Sequence, residues 1–362
     1  MPTIIVTGSN GFIGTNVLDA LLKYPFEGLL RSLSTERSKF KESGSARLNE
    51  PVEFICSDLE NTLLRRTAQR FMSSARVKFV PHTRLKEQLD DLAEPPLIVI
   101  HNGACSSTTE TRPSVFQELN LEFSKMIWTY CTKNSVPLVY ASSASVYGDG
   151  TKGFSDDNDL HHQYVPLNLY GKSKYDFDAW ALMQKEAPPS WFGLRYFNVY
   201  GPFESHKESQ ASMVFHSYHQ ILKTGEVKLF KSTSPLYKDG EQKRDFVYVG
   251  DVIDVTIKIL SICLGKRMGG GSATPIIESG FYNVGSGTAR TWHELVLNAF
   301  KSLQIAPRIQ FIPMPNALKD HYQNFTEAKM EKLQNLMGPS WTPTSIEKGV
   351  YETVTKFLAR GV

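Results

Sequence analysis

The chain has 362 residues, 41% of them hydrophobic and 21% charged, a length and balance that suit a large buried core in one domain or two coupled ones. Its formal net charge of +3 is spread among interspersed acids and bases, so nothing points to nucleic acid or an anionic membrane as partner, and a small ligand is left. No apolar run approaches the ~20 residues of a bilayer span, no basic-then-apolar leader opens the chain, and Cys56, Cys105, Cys131 and Cys263 are too scattered for a disulfide frame or a zinc site. The expectation is a cytoplasmic protein with reduced thiols and no metal, in which the adjacent His161 and His162 belong to a solvated polar loop.

Thr3 to Thr7 is a short β-branched apolar run that reads as a buried strand. Gly8, Gly11 and Gly14 follow at the spacing G-x-x-G-x-x-G, and Val17, Leu18, Leu21 and Leu22 then open a helical pattern. Glycines between strand and helix let the backbone approach a pyrophosphate, and the helix N-terminus offers free N–H groups there. Gly14 allows the helix to pack on the strand, while Phe12 and Ile13 touch the cofactor. A purely structural turn is the alternative, and the strand before and helix after favour dinucleotide binding.

Further strands are predicted at Leu29 to Leu33, Val52 to Cys56, Leu97 to Ile100 and Pro137 to Ala141, with a helical stretch from Ser114 to Lys133. This alternation predicts an α/β fold with a doubly wound parallel sheet and ligands at the carboxyl ends of its strands. A dinucleotide-binding fold keeps an acid for the adenosine ribose after its second strand. At Arg31 to Lys39 none stands at the expected place, and Arg31, Ser32, Arg37 and Lys39 incline the reading toward the 2′-phosphate of NADP, with NAD possible; a solvated loop fits the same residues. Residues 41–96 carry little signal. Asp58 follows a strand and reads either as a partner of the adenine amino group or as a turn cap, and Arg65, Arg66 and Arg70 read as a basic surface helix.

The strand near residue 100 ends in small and hydroxylated residues. Asn102, Gly103, Ala104, Cys105 and Ser106 suit a loop lying along a cofactor, although Ser106, Ser107 and Thr108 are also ordinary turn residues. Asn120, on the following helix, is placed to bond across to this region. Tyr170 and Lys174 stand four apart at the start of a helix, on one face. A phenol with an ordinary pKa of ~10 needs a neighbouring cation to work as a base near neutrality, and Ser143, ending the preceding strand, would hold the same substrate oxygen.

On the glycine triplet, on Ser143, Tyr170 and Lys174, and on Arg195-Tyr-Phe-Asn-Val-Tyr-Gly-Pro202, the chain resembles the extended short-chain dehydrogenase/reductase superfamily. The resemblance implies a Rossmann domain over residues 1–200, rejoined by about 245–290, with 201–362 largely forming a substrate-binding domain. It implies Tyr170 as acid/base, Lys174 on the nicotinamide ribose, Ser143 on the reacting oxygen, and Asn120 and Val199 among the cofactor contacts. Within the superfamily the runs Gly103-Ala-Cys-Ser-Ser-Thr-Thr-Glu110 and Lys243-Arg-Asp-Phe-Val-Tyr-Val-Gly-Asp251, with His206-Lys207 and Ser209, resemble the ADP-glycero-manno-heptose 6-epimerases.

That likeness implies an NADP-linked isomerase acting on an ADP-heptose for lipopolysaccharide core synthesis. Lys207 becomes a second acid/base, and Asn198, Ser209, His216, Arg244 and Tyr322 become substrate contacts in a homo-oligomer. Without it, Lys207 reads as a surface lysine and Arg244 as the partner of Asp245 or Asp251. Another nucleotide-sugar enzyme such as a UDP-hexose 4-epimerase, or a cofactor-binding protein without turnover, are the rivals. The chain departs from the pattern in the longer segment Lys231 to Gln242, in His321-Tyr-Gln323, and in the glycine-rich Gly265 to Gly280.

Overall fold

The computed structural model describes residues 2–24, 26, 51–267, 277–319 and 322–361. The expected strand at 29–33, with Arg31, Ser32, Arg37 and Lys39, lies outside the described residues, as do His321 and most of the glycine-rich stretch.

Seven strands form one sheet: β1 (Thr3–Thr7), β2 (Glu53–Asp58), β3 (Val77–Pro81), β4 (Ile98–His101), β5 (Leu138–Ser143), β6 (Trp191–Tyr196) and β10 (Gly280–Val284). Their order is β10-β6-β5-β4-β1-β2-β3, and every pairing is parallel. The fold is the expected doubly wound α/β sheet. Ile4, Val6, Phe54, Cys56, Ile98 and Ile100 enter one core, and the alternate residues Ile5, Ile55 and Val99 enter the other. Strands buried on both faces explain the unbroken apolar runs in the sequence.

Helices α1 (Phe12–Lys23) and α5 (Val249–Arg267) cover the first face through Val17, Leu18, Leu21, Val252, Val255 and Ile259. Helices α2 (Phe123–Lys133) and α3 (Leu169–Leu182) cover the second through Ile127, Trp128, Cys131, Phe177 and Ala181. A third core joins α4 (Met213–Thr224) and α6 (Trp292–Leu303) to the strands β8 (Val227–Phe230) and β9 (Lys243–Tyr248). There β7 (Asn198–Tyr200) pairs with β9 in parallel and β11 (Ala289–Thr291) pairs with it antiparallel, while β12 (Ile309–Ile312) lies beside β8. Thr291 caps α6 reciprocally with Glu294, which fixes where that helix starts.

Three expectations change. The place beside β1 is taken by Glu53–Asp58, which ends in the acid Asp58. Residues 41–96 contain a second strand, β3 at Val77–Pro81, beyond the strand and basic helix expected there. His161 is no solvated loop residue: it is buried, takes a hydrogen bond from Arg195 Nη2 at 2.7 Å and bonds the Tyr175 carbonyl at 3.1 Å, and only His162 is exposed.

Candidate active site

The order in which strands are added reverses between β1 and β4, and at that switch point the strand ends open into a cleft of about 570 Å³. Gly8, Gly11, Phe12, Ile13 and Gly14 line one wall, as the spacing predicted. A Cβ on Gly14 would stand 2.0 Å from the Gly8 carbonyl oxygen, and one on Gly8, whose φ is +63°, would stand 2.6 Å from Asn102 and Gly103. The backbone therefore forms a tight cradle before α1, whose N-terminus no side chain caps.

Among the residues of the same cleft, Ser57, His82 and Asn102 each carry a buried polar atom without a protein partner. Such atoms are costly unless something supplies the missing bond. A dinucleotide is rich in suitable groups, so cradle and orphaned atoms both fit one.

Asp58 ends β2 in this cleft, its carboxylate accepting from the backbone of Asn10 at 2.9 Å and of Leu59 at 2.7 Å. Arg65, read as a surface residue, lines the cleft too, half-buried, with Nη1 donating to the Asn10 carbonyl at 3.1 Å. His206 stands near Arg65 and Lys207, and burial first, then those two cations, bring its pKa down to about 4. His82 escaped the sequence reading because it lies in a polar segment with no periodic signal, and Arg65 and His206 were named there without a place in the cleft.

On the opposite wall Asn102, Gly103, Ala104 and Ser106 line the cleft, and Gly103 N donates to Thr7 Oγ1 at 3.0 Å. Cys105 and Asn120 do not line it. Asn120 is buried and spent on the loop: its Oδ1 accepts from Cys105 N at 2.7 Å, and its Nδ2 donates to Cys105 O at 2.9 Å and Ser173 Oγ at 2.8 Å. It shapes the loop from behind and has no donor left for a ligand.

Ser143, Tyr170 and Lys174 meet on the cleft floor. Asn168 caps α3 by accepting from Gly171 N at 2.8 Å, which sets the rotation that turns Tyr170 and Lys174 inward. Lys174 Nζ donates to the Ala141 carbonyl at 2.7 Å, and burial brings its pKa down to about 8 against the opposing charge of Asp178. The expected lowering of the Tyr170 pKa is reversed. Burial of the phenol raises it, the Ser143 hydroxyl opposes the rise, and Lys174 is engaged with Ala141.

Lys207, Asn198 and Val199 stand in the same cleft. Lys207 Nζ lies 3.1 Å from Glu204 and 4.7 Å from the centre of the Phe12 ring. Ser209 is exposed outside it, and His216 is half-buried on α4, also outside. Arg244 and Tyr322 form a separate group behind Trp292: the guanidinium is 4.9 Å from the Tyr322 ring centre and 5.8 Å from that of Trp292.

Arg244 makes no ion pair with Asp245 or Asp251. Asp245 accepts from Ser286, Gly287 and Ala328, and Asp251 from Thr344, leaving Arg244 buried with Nη1 on its own neighbour's carbonyl at 2.9 Å. Gln242, the residue just before β9, is buried with both side-chain amide atoms unpartnered. The sequence reading did not single it out.

Residues 4–266 match the NAD dependent epimerase/dehydratase family. The chain belongs to that family. That family supports a nicotinamide cofactor for this chain. A Fusobacterium nucleatum protein named ADP-L-glycero-D-manno-heptose-6-epimerase is 41% identical over 76% of this chain and 80% of its own. One of the same name from Nitratidesulfovibrio vulgaris is 37% identical over 98% of both chains. Among solved structures, the Helicobacter pylori ADP-L-glycero-D-manno-heptose-6-epimerase superposes with a TM-score of 0.68 at 26% identity, covering 99% of this chain and 96% of that one. A Thermotoga maritima UDP-glucose 4-epimerase, at 21% identity and a TM-score of 0.69, shares the fold.

Proposed function

We propose that the protein inverts C6 of an ADP-linked manno-heptose, the ADP-L-glycero-D-manno-heptose 6-epimerase reaction. The observation that carries this reading is that Tyr170 and Lys207, two proton-handling side chains on different elements, line one cleft with the glycine cradle. Inversion through a ketone breaks the C6–H bond and the O–H bond, then remakes both with hydrogen delivered to the other face. A proton must be handled on each face, and one tyrosine reaches only one.

A nicotinamide cofactor in the cradle supplies the hydride acceptor that serves again as donor, so the net redox change is zero. Tyr170 takes or returns the hydroxyl proton on one face. Ser143 orients the same oxygen, and Lys174 stabilises the developing phenolate and holds the cofactor ribose. Lys207 does the work of Tyr170 on the other face. Arg244, a buried cation with no carboxylate partner among the described residues, holds the diphosphate through its forked donors, beside Tyr322.

For the cofactor we infer NADP. Both Asp58 oxygens are engaged by backbone N–H groups, and Arg65 stands beside it with donors to spare for a 2′-phosphate. In this reading residues 1–200, with about 245–290, carry the cofactor, and 201–362 carry most sugar contacts. The test is incubation with ADP-D-glycero-D-manno-heptose followed by NMR of the C6 proton coupling. A second diastereomer at equilibrium is expected; an unchanged spectrum, with turnover of a UDP-hexose instead, would replace the reading by a 4-epimerase.

A further inference from the structure

Lys207 belongs to a segment that its backbone does not favour. Phe203 has φ +69° and Glu208 has φ +48°, both in the left-handed region. Residues other than glycine pay about 1–3 kcal/mol for such conformations, which persist only where the surroundings over-determine them.

Here the surroundings converge on Glu204. Its side chain is 0% exposed. The carboxylate accepts from Gly201 N at 3.2 Å and from Ser212 N at 2.7 Å, which pins both ends of the segment, and from Lys207 Nζ at 3.1 Å. On its other side the Lys207 ammonium lies over the ring of Phe12, the first residue of α1 beside the cradle. An exposed lysine–glutamate pair contributes little because water and side-chain freedom compete with it. This carboxylate is out of water and fixed by two backbone donors, so the ammonium meets a partner that cannot move away.

We propose that Glu204 is the positioning residue for Lys207. It closes the 201–212 loop and holds the ammonium between its own carboxylate and the Phe12 ring, at the cleft wall where a sugar carbinol must present its second face. Glu204 itself does not line the cleft, so its effect on turnover passes through Lys207. The proposal rests on Lys207 being the second acid/base, and the experiment separates the two claims.

Wild type, Glu204→Gln, Glu204→Asp, Lys207→Ala and the double variant Glu204→Gln/Lys207→Ala are compared for kcat and KM with the ADP-heptose, for melting temperature, and for the rate of tryptic cleavage after Lys207. Loss of a charged hydrogen bond, about 1.5–3 kcal/mol, predicts a fall in kcat of roughly 10- to 150-fold in Glu204→Gln, with KM within about threefold of wild type and faster cleavage after Lys207. Glu204→Asp, which keeps the charge, recovers part of kcat. The double variant is no slower than Lys207→Ala alone, because two residues acting in series do not add.

Additive losses in the double variant would mean that Glu204 acts independently of Lys207 and would sink the proposal. Wild-type kcat in Glu204→Gln, with Lys207→Ala inactive, overturns the positioning role and leaves the second base standing. Full epimerisation by Lys207→Ala overturns the second base, and the positioning role with it. Should Glu204→Gln not fold, the same cycle with Glu204→Asp decides, and unchanged kcat in that variant counts against the proposal.

Discussion

Lys174 follows Tyr170 by one turn of α3, and its ammonium is fastened to the Ala141 carbonyl at 2.7 Å. The lysine is thus anchored to β5, the strand that ends in Ser143, and helix and strand hold the two hydroxyls of the floor in fixed relation. Burial keeps the phenol protonated above its ordinary range while Lys174 is charged only below about 8. On the proposed role, Tyr170→Phe removes the proton carrier of one face and keeps the shape. The expected result is a fall in kcat of about 10²–10⁴-fold with nicotinamide absorbance retained by the purified protein. Activity within tenfold of wild type would remove Tyr170 from the chemistry.

Arg65 carries the second prediction. If its guanidinium receives a 2′-phosphate, Arg65→Met weakens NADP binding by roughly 10- to 150-fold, the equivalent of one charged hydrogen bond, and changes NAD binding by less than about threefold. Titrating the stripped protein with each reduced cofactor, followed by fluorescence, measures both. Equal losses for the two cofactors would place Arg65 on the shared part of the dinucleotide.

Asn120 acts on the cleft from behind. Three hydrogen bonds tie it to Cys105 and Ser173, and Asn120→Ala strands buried backbone groups of the loop that faces the cofactor. A destabilisation of about 2–4 kcal/mol is expected from urea unfolding, together with weaker cofactor retention. Unchanged stability would show that the loop holds its shape without this clamp.

These residues also mark where the sequence could be read and where it could not. Gly8, Gly11, Gly14, Tyr170 and Lys174 were legible because their chemistry depends on spacing within one turn or one helix. Asp58 was visible as an acid after a strand, but the strand beside β1 lies about 30 residues beyond α1, too far for the ~20-residue spacing rule to single it out. Glu204 looked like one more charge in Glu204-Ser-His-Lys-Glu-Ser209. Only the packed chain shows that its carboxylate is buried and the neighbouring glutamate, Glu208, exposed. Arg244 has Asp245 next to it in sequence and Asp251 seven residues on, yet the loops around Ser286 and Thr344 claim both carboxylates first.

His101 ends β4 with both ring nitrogens occupied, Nδ1 against Thr7 Oγ1 at 2.6 Å and Nε2 against Ser124 Oγ at 2.9 Å. Burial, and then the charge of Lys174, bring its pKa down to about 3 from an ordinary 6.5. The unfolded chain therefore binds a proton at this site that the folded chain refuses between those values. Stability contributed by the neutral ring is present above pH 6.5 and declines as pH falls toward 3, at up to ~1.4 kcal/mol per unit from this one residue. His206, brought down to about 4, adds to the slope over the upper part of the same window. Urea midpoints measured between pH 7 and pH 4 should fall steeply in wild type. His101→Asn, which keeps polar atoms but cannot titrate there, should start less stable at pH 7 and lose less on acidification. Parallel curves for the two proteins would mean that other groups set the acid sensitivity and that the buried ring takes its proton without unfolding the sheet.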